Sequence, residues 1–322
     1  MQCKLICSSH SPLMQMYARA PQDQGKIDGL YQRLAAEVKN YAPDLIIVFG
    51  CDHFNGFFLN CMPSFCIGTR CEAVDDVGGT PGKLDVSPLA LSFAGGLRQA
   101  GIDVAVSDNM RVDHGFSQTM DFVLDSLDAY PSLPIFMNSI APPYLPFHRS
   151  RKIGESLATL TEQAGVDRLL VIATGGMSHH PRRYYPEPSE AETNVQHYQL
   201  NGPSKQGMNH QEWLDRLDVM HKEGAHMLID GRRTITDIKM NPELDRRFAE
   251  LLCTGPIQAM DDWDNEELIE QGGIGFMELH TWVAAAALYG TLCPEHAPKF
   301  ELYSKTLEYG IGFGAVSGGF DS

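Results

Sequence analysis

Basic residues, membrane spans and leader signals are all scarce in this sequence. Only 25 Lys and Arg stand against 41 Asp and Glu, which gives a formal net charge of −16. Such an acidic chain is a poor partner for phosphate backbones, so we expect no nucleic-acid partner. No stretch approaches the roughly 18 consecutive apolar residues of a membrane span, and the first residues do not have the pattern of a signal peptide. These absences predict a cytoplasmic protein without a membrane partner.

The eight cysteines contain no Cys-x-x-Cys pair. Because a chain of 322 residues can bury a large core, disulfide bonds or structural metal sites are not needed for folding. We therefore expect neither a disulfide framework nor a thiolate zinc site, and we interpret every cysteine as structural. The motifs HExxH, GxxxxGK[ST], GxSxG and a strand-linked GxGxxG are also absent, which removes the enzyme classes that they define.

Short apolar runs alternate with helical patterns through the first half of the chain. Strands separated by helices of about 10–15 residues predict βαβ units and a parallel sheet. We therefore expect an α/β fold with a mostly parallel central sheet flanked by helices. The predicted strands are 3–7, 45–49, 102–106, 133–137 and 169–173, and the predicted helices between them are 29–41, 87–100, 119–127 and 149–164.

The pattern changes at about residue 181, where polar and turn-forming residues over 181–206 predict a surface excursion. No change of composition divides the chain, so we expect one catalytic domain over 1–322. Within it we expect a polar, helical excursion at about 181–260 and a helical C-terminal part packed on the same domain. Helices are predicted at 211–228, from Asn241-Pro242 toward 252, at 264–273 and at 274–289, and the glycine-rich stretch 310–314 is predicted to be a flexible loop.

Four of the twelve histidines come just after predicted strands. They are His10, His53, His114 and His179. The carboxyl ends of parallel strands share one edge of the sheet, where ligands bind, so these imidazoles are expected to converge there. A single histidine after a strand is usually a loop or core residue, so the argument depends on the set of four. We interpret the histidines in polar or helical contexts as solvated or structural, namely His148, His197, His210, His221, His226 and His296.

Two aspartates directly precede histidines of this set. Asp52 lies before His53, and Asp113 lies before His114. A carboxylate that accepts a hydrogen bond from an imidazole fixes its orientation, so each aspartate is a candidate partner for a nearby ring. Adjacent side chains often diverge, so the pairing itself stays open.

Five short motifs, taken in order, resemble the class III extradiol ring-cleaving dioxygenases, the LigB-type superfamily. The likeness runs from the first strand to the glycine-rich tail and is least clear over 181–255. The motifs are Ser8-Ser-His10-Ser-Pro, Cys51-Asp-His53-Phe-Asn-Gly-Phe-Phe, Val112-Asp-His114-Gly-Phe, Gly175-Gly-Met-Ser-His179 and Glu278-Leu-His-Thr-Trp-Val-Ala-Ala.

The resemblance implies a non-haem Fe(II) bound by His10, His53 and Glu278, with His114 and His179 as the acid–base residues. A glutamate at a helix start commonly caps the helix or faces solvent. Apolar neighbours surround Glu278, however, and predict a buried carboxylate that needs a partner. His180 and His280 stand beside proposed functional residues and are easily confused with them.

This ligand set suits the reaction that the resemblance implies. Triplet O₂ reacts poorly with a closed-shell ring, and a metal that binds both substrates can relay an electron between them. Two imidazoles and one carboxylate on one face of Fe(II) leave positions open for both catechol oxygens and for O₂. We expect His179 to accept a proton from a catechol hydroxyl and His114 to donate one later, because imidazole exchanges protons near neutral pH.

The resemblance also implies the substrate and the assembly. The substrate would be a catechol with a three-carbon carboxylate arm, cleaved beside the hydroxyl pair on the side of the arm, and the protein would be a homo-oligomer. Phenylalanines near His53, together with Phe116, are candidates for an aromatic slot, although core packing explains them equally well. Candidates for binding the carboxylate are Arg70, Arg111, Arg149, Arg182 and Arg183.

Two other functions remain open at this point. A zinc hydrolase would also use two histidines and one glutamate with an open coordination position. A non-enzymatic binding module with the same α/β frame would be expected to lose some of the five polar site residues, whereas all five are present.

Overall fold

A computed structural model of the chain describes residues 1–17 and 19–320. Its strands are β1 (Gln2–Ser8), β2 (Leu45–Gly50), β3 (Phe65–Gly68), β4 (Cys71–Ala73), β5 (Gly82–Lys83), β6 (Ala105–Ser107), β7 (Met110–Val112), β8 (Ser132–Met137), β9 (Arg168–Thr174), β10 (Lys299–Thr306) and β11 (Ile311–Gly318). Its α-helices are α1 (Leu13–Met16), α2 (Gln24–Tyr41), α3 (Ala90–Gln99), α4 (His114–Val123), α5 (Phe147–Gln163), α6 (Thr193–Asn201), α7 (His210–Ile229), α8 (Pro242–Thr254), α9 (Asn265–Gly272) and α10 (His280–Leu292). Short 3₁₀ turns lie at Pro181–Arg183, Ile257–Met260 and Ile274–Leu279.

An eight-stranded sheet forms the centre of the fold, in the order β10-β11-β1-β9-β2-β8-β3-β6. The four middle strands, β1, β9, β2 and β8, are all parallel. Antiparallel pairs join β11 to β1, β10 to β11 and β3 to β8. The predicted α/β class with a mostly parallel sheet is therefore confirmed.

Both faces of the central strands are buried, which explains their continuous apolar sequences. In β2, Leu45, Ile47 and Phe49 belong to the core on one face of the sheet, whereas Ile46 and Val48 belong to the core on the other face. Helices α5 and α10 contribute to the first core and α2 and α4 to the second. No helix among the described residues is long and apolar enough to cross a membrane.

Helices α5 and α10 pack unusually closely, and a glycine makes this possible. A Cβ built on Gly154 of α5 would lie 2.0 Å from the carbonyl oxygen of Ala284 in α10. The glycine thus lets the two backbones touch, and α10 is buried on all sides from His280 to Tyr289.

A second, three-stranded sheet has the order β5-β4-β7. It corrects one expectation, because the strand that immediately precedes His114 is β7 of this small sheet and not the predicted strand 102–106. The helix predicted at 119–127 in fact begins at His114 and ends at Val123. Asp113 caps it by accepting a hydrogen bond from the backbone of Gly115.

The C-terminal part differs from expectation in two places. The glycine-rich stretch predicted as a flexible loop belongs to β11, which is buried along its whole length. The predicted helix 274–289 is a 3₁₀ turn over Ile274–Leu279 followed by α10. Helix α8 begins as predicted, with Asn241 as its cap and Pro242 in its first turn.

The excursion predicted to be polar has an apolar core of its own. Tyr185, Tyr198, Trp213 and Leu217 are buried together with Phe54, which follows β2. The polar and turn-forming residues over 181–206 gave no indication of this cluster. The segment is therefore packed against the loop that follows β2.

Candidate active site

The histidines identified in the sequence meet at the carboxyl edge of the parallel strands. His10 follows β1, His53 follows β2 and His179 follows β9. Strands β1 and β2 both pair with β9, so the three loops are neighbours. Glu278 reaches the same place from the 3₁₀ turn before α10, and all four side chains are buried. The predicted convergence is observed.

His10, His53 and Glu278 form a compact three-residue group. The His10 Nε2 atom lies 3.4 Å from Glu278 Oε2, and the His53 Nε2 atom lies 3.5 Å from Glu278 Oε1. These atoms are close enough together to be ligands of one ion. We call these three residues the triad.

The outward nitrogen of each triad imidazole is held by a hydrogen-bonding partner. His10 Nδ1 lies 2.8 Å from Thr174 Oγ1, and His53 Nδ1 lies 3.3 Å from Asp113 Oδ1. Asp113 Oδ2 also accepts a hydrogen bond of 2.6 Å from the His53 backbone. Both rings therefore point Nε2 toward Glu278, the arrangement typical of metal-ligating histidines.

The Glu278 carboxylate lies against the glycine turn that follows β9. The Gly176 backbone donates a hydrogen bond to Oε2. A Cβ on Gly176 would lie 2.4 Å from the His179 ring and 3.1 Å from Glu278 Oε2, so only glycine allows both side chains to approach. Although burial opposes its charge, the neighbouring histidines hold the pKa of Glu278 below its usual range.

Electrostatics within the triad favour a bound cation. Burial lowers the pKa of His10 to about 3, so this ring is neutral, as a metal ligand must be. Burial also opposes charge on His53, but the Asp113 and Glu278 carboxylates outweigh it and raise the pKa of His53. The buried Asp113 and Glu278 carboxylates thus favour a positive charge next to them, which a metal ion would also supply.

His114 stacks on the triad and is oriented by a carboxylate that sequence reasoning missed. Its ring is parallel to that of His53, with centroids 4.9 Å apart. Asp76 Oδ2 lies 2.6 Å from His114 Nδ1 and accepts a second hydrogen bond, 3.1 Å long, from the His114 backbone. Asp76 is 38 residues away in the sequence, in a loop with no motif to mark it.

Neither of the two aspartates identified in the sequence contacts the ring of the histidine that follows it. Asp113 contacts His53 and not the adjacent His114. Asp52 Oδ2 accepts backbone hydrogen bonds of 3.0 Å from residues 55–57 and stabilises the loop after β2. Burial and the charge of Asp113 raise the pKa of Asp52 to about 8. Adjacent side chains diverge at both sites.

His179 lies at the edge of the triad, beside Glu278. Its Nε2 lies 3.7 Å from Glu278 Oε1, and its Nδ1 lies 2.8 Å from the carbonyl oxygen of Met177. Asp245 of α8 stabilises the loop that carries His179. Its carboxylate accepts hydrogen bonds from both the backbone and the hydroxyl of Ser178.

The neighbouring histidines can be told apart from these. His280 Nδ1 lies 2.8 Å from Ser150 Oγ, and its ring packs on Phe147 in the core between α5 and α10. The backbone N–H of Ile274 donates a hydrogen bond of 3.4 Å to His180 Nδ1. Neither residue lines the cavity described next.

A cavity opens over the histidines, and its outer wall was not predicted. Besides His10, His53, His114 and His179, it is lined by His221 and by three tyrosines, Tyr184, Tyr185 and Tyr309. His221, which we interpreted as solvated or structural, is buried, and burial lowers its pKa to about 3. The sequence around His221 has no motif that marks it as a site residue. It reaches the cavity only because the excursion folds over the site.

The aromatic residues of the cavity are tyrosines, not the phenylalanines proposed from the sequence. Phe57 stacks on Phe136 in the core, with centroids 3.7 Å apart, and Phe116 is buried in the same core. Tyr185 stacks on the His53 ring at 5.1 Å, and its buried hydroxyl has no hydrogen-bond partner among the described residues. Of the two readings left open, core packing is the correct one for Phe57 and Phe116.

Comparison with known proteins decides the family. Residues 4–314 match the family described as "Catalytic LigB subunit of aromatic ring-opening dioxygenase". The chain belongs to the LigB family. As a LigB-family enzyme it is an aromatic ring-opening dioxygenase, and the resemblance of its five motifs is confirmed.

Curated relatives extend over nearly the whole of this LigB-family chain. A 2,3-dihydroxyphenylpropionate/2,3-dihydroxicinnamic acid 1,2-dioxygenase of Escherichia coli O139:H28 is 35% identical over 318 residues, covering 98% of both chains. A protein of the same description from Cupriavidus necator is 34% identical over 328 residues, again covering 98% of both. The crystal structure of an uncharacterized protein from Escherichia coli K12 has the same fold, with a TM-score of 0.50, 15% identity and 98% coverage of both chains.

The triad of this LigB-family enzyme fits a metal ion. The donor atoms of its two imidazoles and its buried carboxylate lie close together. A hydrogen-bonding partner at the Nδ1 atom of each ring fixes the orientation of that ring. The Cys51 thiol also lies near, with Sγ 3.9 Å from His10 Nε2. Burial raises the pKa of this thiol, which disfavours the thiolate that a metal would require.

Proposed function

We propose that this enzyme opens the ring of 2,3-dihydroxyphenylpropionate, or of a close relative with the same carboxylate arm, by inserting both atoms of O₂. The metal is Fe(II), with His10, His53 and Glu278 as its ligands. The observation that carries this proposal is the approach of both Nε2 atoms to one buried carboxylate, at 3.4 and 3.5 Å. The substrates named for the two curated relatives support the choice of catechol.

Iron is favoured by the composition and the openness of the triad. Two histidines and one carboxylate on one face, with further positions open, are the ligand set of non-haem Fe(II) oxygenases. Ferrous iron, when bound, supplies the electron relay between the catechol and O₂ that lets triplet oxygen react. His10 and His53 of the triad line the cavity, so a substrate in the cavity reaches the triad.

We assign the role of base to His179. Its Nδ1 faces the Met177 carbonyl oxygen, which can only accept a hydrogen bond, so in the neutral ring Nδ1 carries the hydrogen and Nε2 the lone pair. Nε2 lies beside Glu278 at the edge of the triad. It is therefore placed to accept a proton from a catechol hydroxyl as the substrate binds.

We assign the role of acid to His114. Its Nδ1 faces the Asp76 carboxylate, and a carboxylate stabilises the imidazolium form that an acid must hold in reserve. In that form Nε2 carries a proton, which His114 would donate during ring opening. The different partners of the two rings, a carbonyl and a carboxylate, thus match two different proton-transfer roles.

The wider setting of the enzyme is also proposed. We infer one catalytic domain over 1–322, since the excursion at about 181–260 contributes His221, Tyr184 and Tyr185 to the cavity. We further infer a place in the cytoplasm, in keeping with eight free cysteines. A homo-oligomer is inferred only because the resemblance to the family implies it. The zinc-hydrolase and binding-module alternatives have no support from the comparisons.

Anaerobic reconstitution tests this function directly. The chain is loaded with one equivalent of Fe(II) without oxygen, mixed with 2,3-dihydroxyphenylpropionate and exposed to air. We expect O₂ uptake equal to the catechol consumed and a yellow ring-fission product. A zinc-loaded sample serves as the control and should show neither. Ring opening with zinc but not iron, or no O₂ uptake with iron, would contradict the proposal.

A further inference from the structure

The outer wall of the cavity is built by the segment after His180 and by helix α7. The Tyr184 ring stacks on His221 of α7, with centroids 3.8 Å apart and planes 19° from parallel. Its hydroxyl reaches the same helix at Gly224, where a Cβ would lie 2.2 Å from the Tyr184 oxygen. The phenol therefore lies along α7 at the rim of the cavity.

Four arginines lie near this wall, and three of them have strong partners. Arg182 pairs with Glu187, and Arg183 pairs with Glu223. Arg216 donates a 2.7 Å hydrogen bond to the Tyr184 carbonyl oxygen, and its guanidinium lies 5.3 Å from the centre of the Trp213 ring. These contacts leave Arg233 as the arginine to explain.

Arg233 has no partner that neutralises it. Among residues 1–17 and 19–320, no carboxylate lies within 4.0 Å of its guanidinium, and its Nη1 is buried without a hydrogen-bond partner. Leaving a buried charged donor unpaired is costly, and native structures seldom do so without a reason. The cost is notable in a chain of net charge −16, where carboxylates are plentiful.

Arg233 lies near Tyr184, which is a residue of the cavity lining. Its backbone N–H donates a 2.8 Å hydrogen bond to the Met227 carbonyl oxygen, in the last turn of α7. Burial raises the pKa of Tyr184, and the charge of Arg233 opposes that rise. Burial, together with the charges of Lys239, Arg182 and, to a smaller extent, Arg233, lowers the pKa of His180 to about 4. Met227 comes one turn after Gly224, where the Tyr184 hydroxyl lies, so the backbone of Arg233 is held near that hydroxyl.

We propose that Arg233, with the Tyr184 hydroxyl, binds the carboxylate at the end of the substrate's side arm. The proposal rests on the proposed function, in which the catechol hydroxyls face the triad. Two methylene groups separate the ring from the carboxylate, so the arm carries the negative charge away from the triad toward the rim. A guanidinium offers the paired N–H donors that a carboxylate accepts best. Like Arg233, the residues proposed from the sequence, Arg70, Arg111, Arg149, Arg182 and Arg183, do not line the described cavity. Arg111, Arg182 and Arg183 are already paired with glutamates, whereas Arg233 is not.

A substrate comparison with a neighbouring control tests the subsite. Arg233→Ala is compared with Arg232→Ala, whose side chain is 58% exposed and paired with Asp230 at 2.7 Å. Each iron-loaded variant is assayed with 2,3-dihydroxyphenylpropionate and with 3-methylcatechol, which has no carboxylate. For the acid we expect Arg233→Ala to lose about 10- to 100-fold in kcat/KM, mainly through KM. The loss on 3-methylcatechol should be far smaller, Arg233→Lys should be intermediate, and Arg232→Ala should resemble the wild type on both.

The results that would overturn the subsite differ from those that would contradict the proposed function. Equal losses on both catechols, or no loss on the acid, would overturn the subsite. A wild-type chain that opens neither catechol would contradict the proposed function instead. In that case, equilibrium binding of 2,3-dihydroxyphenylpropionate to the iron-loaded protein without oxygen decides the subsite alone. Weaker binding by Arg233→Ala than by wild type supports it, and equal binding overturns it.

Discussion

Single hydrogen bonds distinguish the two histidines beside the triad. His114 faces the Asp76 carboxylate at 2.6 Å, whereas His179 faces the Met177 carbonyl oxygen at 2.8 Å. A carboxylate partner stabilises a charged imidazole, and a carbonyl partner fixes the tautomer of a neutral one. The acid and base roles proposed for these rings therefore follow from their partners as well as from family resemblance.

Removing either ring should impair turnover without removing the metal. For His114→Gln and His179→Gln we expect losses of roughly 10²–10⁴-fold in kcat, because proton transfer is lost. The iron content measured after reconstitution should stay near that of the wild type. By contrast, His10→Ala, His53→Ala and Glu278→Gln should lower the iron content itself. Near-normal turnover in either Gln variant, with iron bound, would show that the role assignment is wrong.

Asp76 should act only through His114. We expect Asp76→Asn to reduce kcat by about 10- to 100-fold, since the amide cannot stabilise an imidazolium as a carboxylate does. In a His114→Gln background the same change should have almost no further effect, because the ring that it supports is gone. Steady-state kinetics of the two single variants and the double variant measure this coupling. Fully additive losses would show that Asp76 acts elsewhere.

At the scale of elements, the sequence predicts best what depends on continuous apolar runs. Strands β2, β8 and β9 have such runs because both faces of the sheet are covered. All three were predicted, as was β1, whose apolar run is interrupted by Lys4. The glycine-rich β11 was misread as a loop, since its glycines allow close packing that no local pattern reveals. In β11, a Cβ on Gly314 would lie 2.4 Å from the Met177 side chain.

Site residues could be predicted where a motif follows a strand. Those brought to the site only by contacts between distant segments could not be predicted. His10, His53 and His179 each follow a central strand, so their convergence followed from topology. Asp76 and His221 belong to segments without a motif, and only tertiary packing brings them to the site. The sequence alone could not have placed either of them.

The contact between α5 and α10 should depend on Gly154. A Cβ there would meet the Ala284 carbonyl oxygen at 2.0 Å, so Gly154→Ala must push the helices apart. We expect the free energy of unfolding to fall by about 1–3 kcal/mol, measured by urea titration. Gly95→Ala in α3 is the matched control, because nothing lies within 4 Å of its Cβ position. The control should be neutral or more stable by up to about 1 kcal/mol, and a Gly154→Ala protein that behaved likewise would contradict the packing argument.

At the scale of the whole molecule, buried neutral histidines should make the fold sensitive to acid. Burial lowers the pKa of His221 and of His280 to about 3, from 6.5 in an exposed ring. Between pH 6.5 and 3 the unfolded chain binds these protons and the folded chain does not. Their contribution to stability is therefore complete above pH 6.5 and is lost as the pH falls, by about 1.4 kcal/mol per pH unit for each histidine.

Urea unfolding of the metal-free protein at several pH values measures this effect. His280→Gln should lessen the dependence on pH below 6.5 by close to one proton, whatever its effect on stability at neutral pH. His296→Gln, which changes an exposed histidine, should leave the dependence unchanged. A His280→Gln protein with the full wild-type dependence would show that this ring is charged in the folded state.

The whole account depends on His10, His53 and Glu278 binding one ferrous ion together. Anomalous diffraction at the iron edge, from crystals loaded with Fe(II) without oxygen, tests this most directly. We predict one strong peak within bonding distance of both Nε2 atoms and the glutamate carboxylate, bordering the cavity. A peak elsewhere in the molecule, or one bonded to the histidines while Glu278 stays out of reach, would contradict the account.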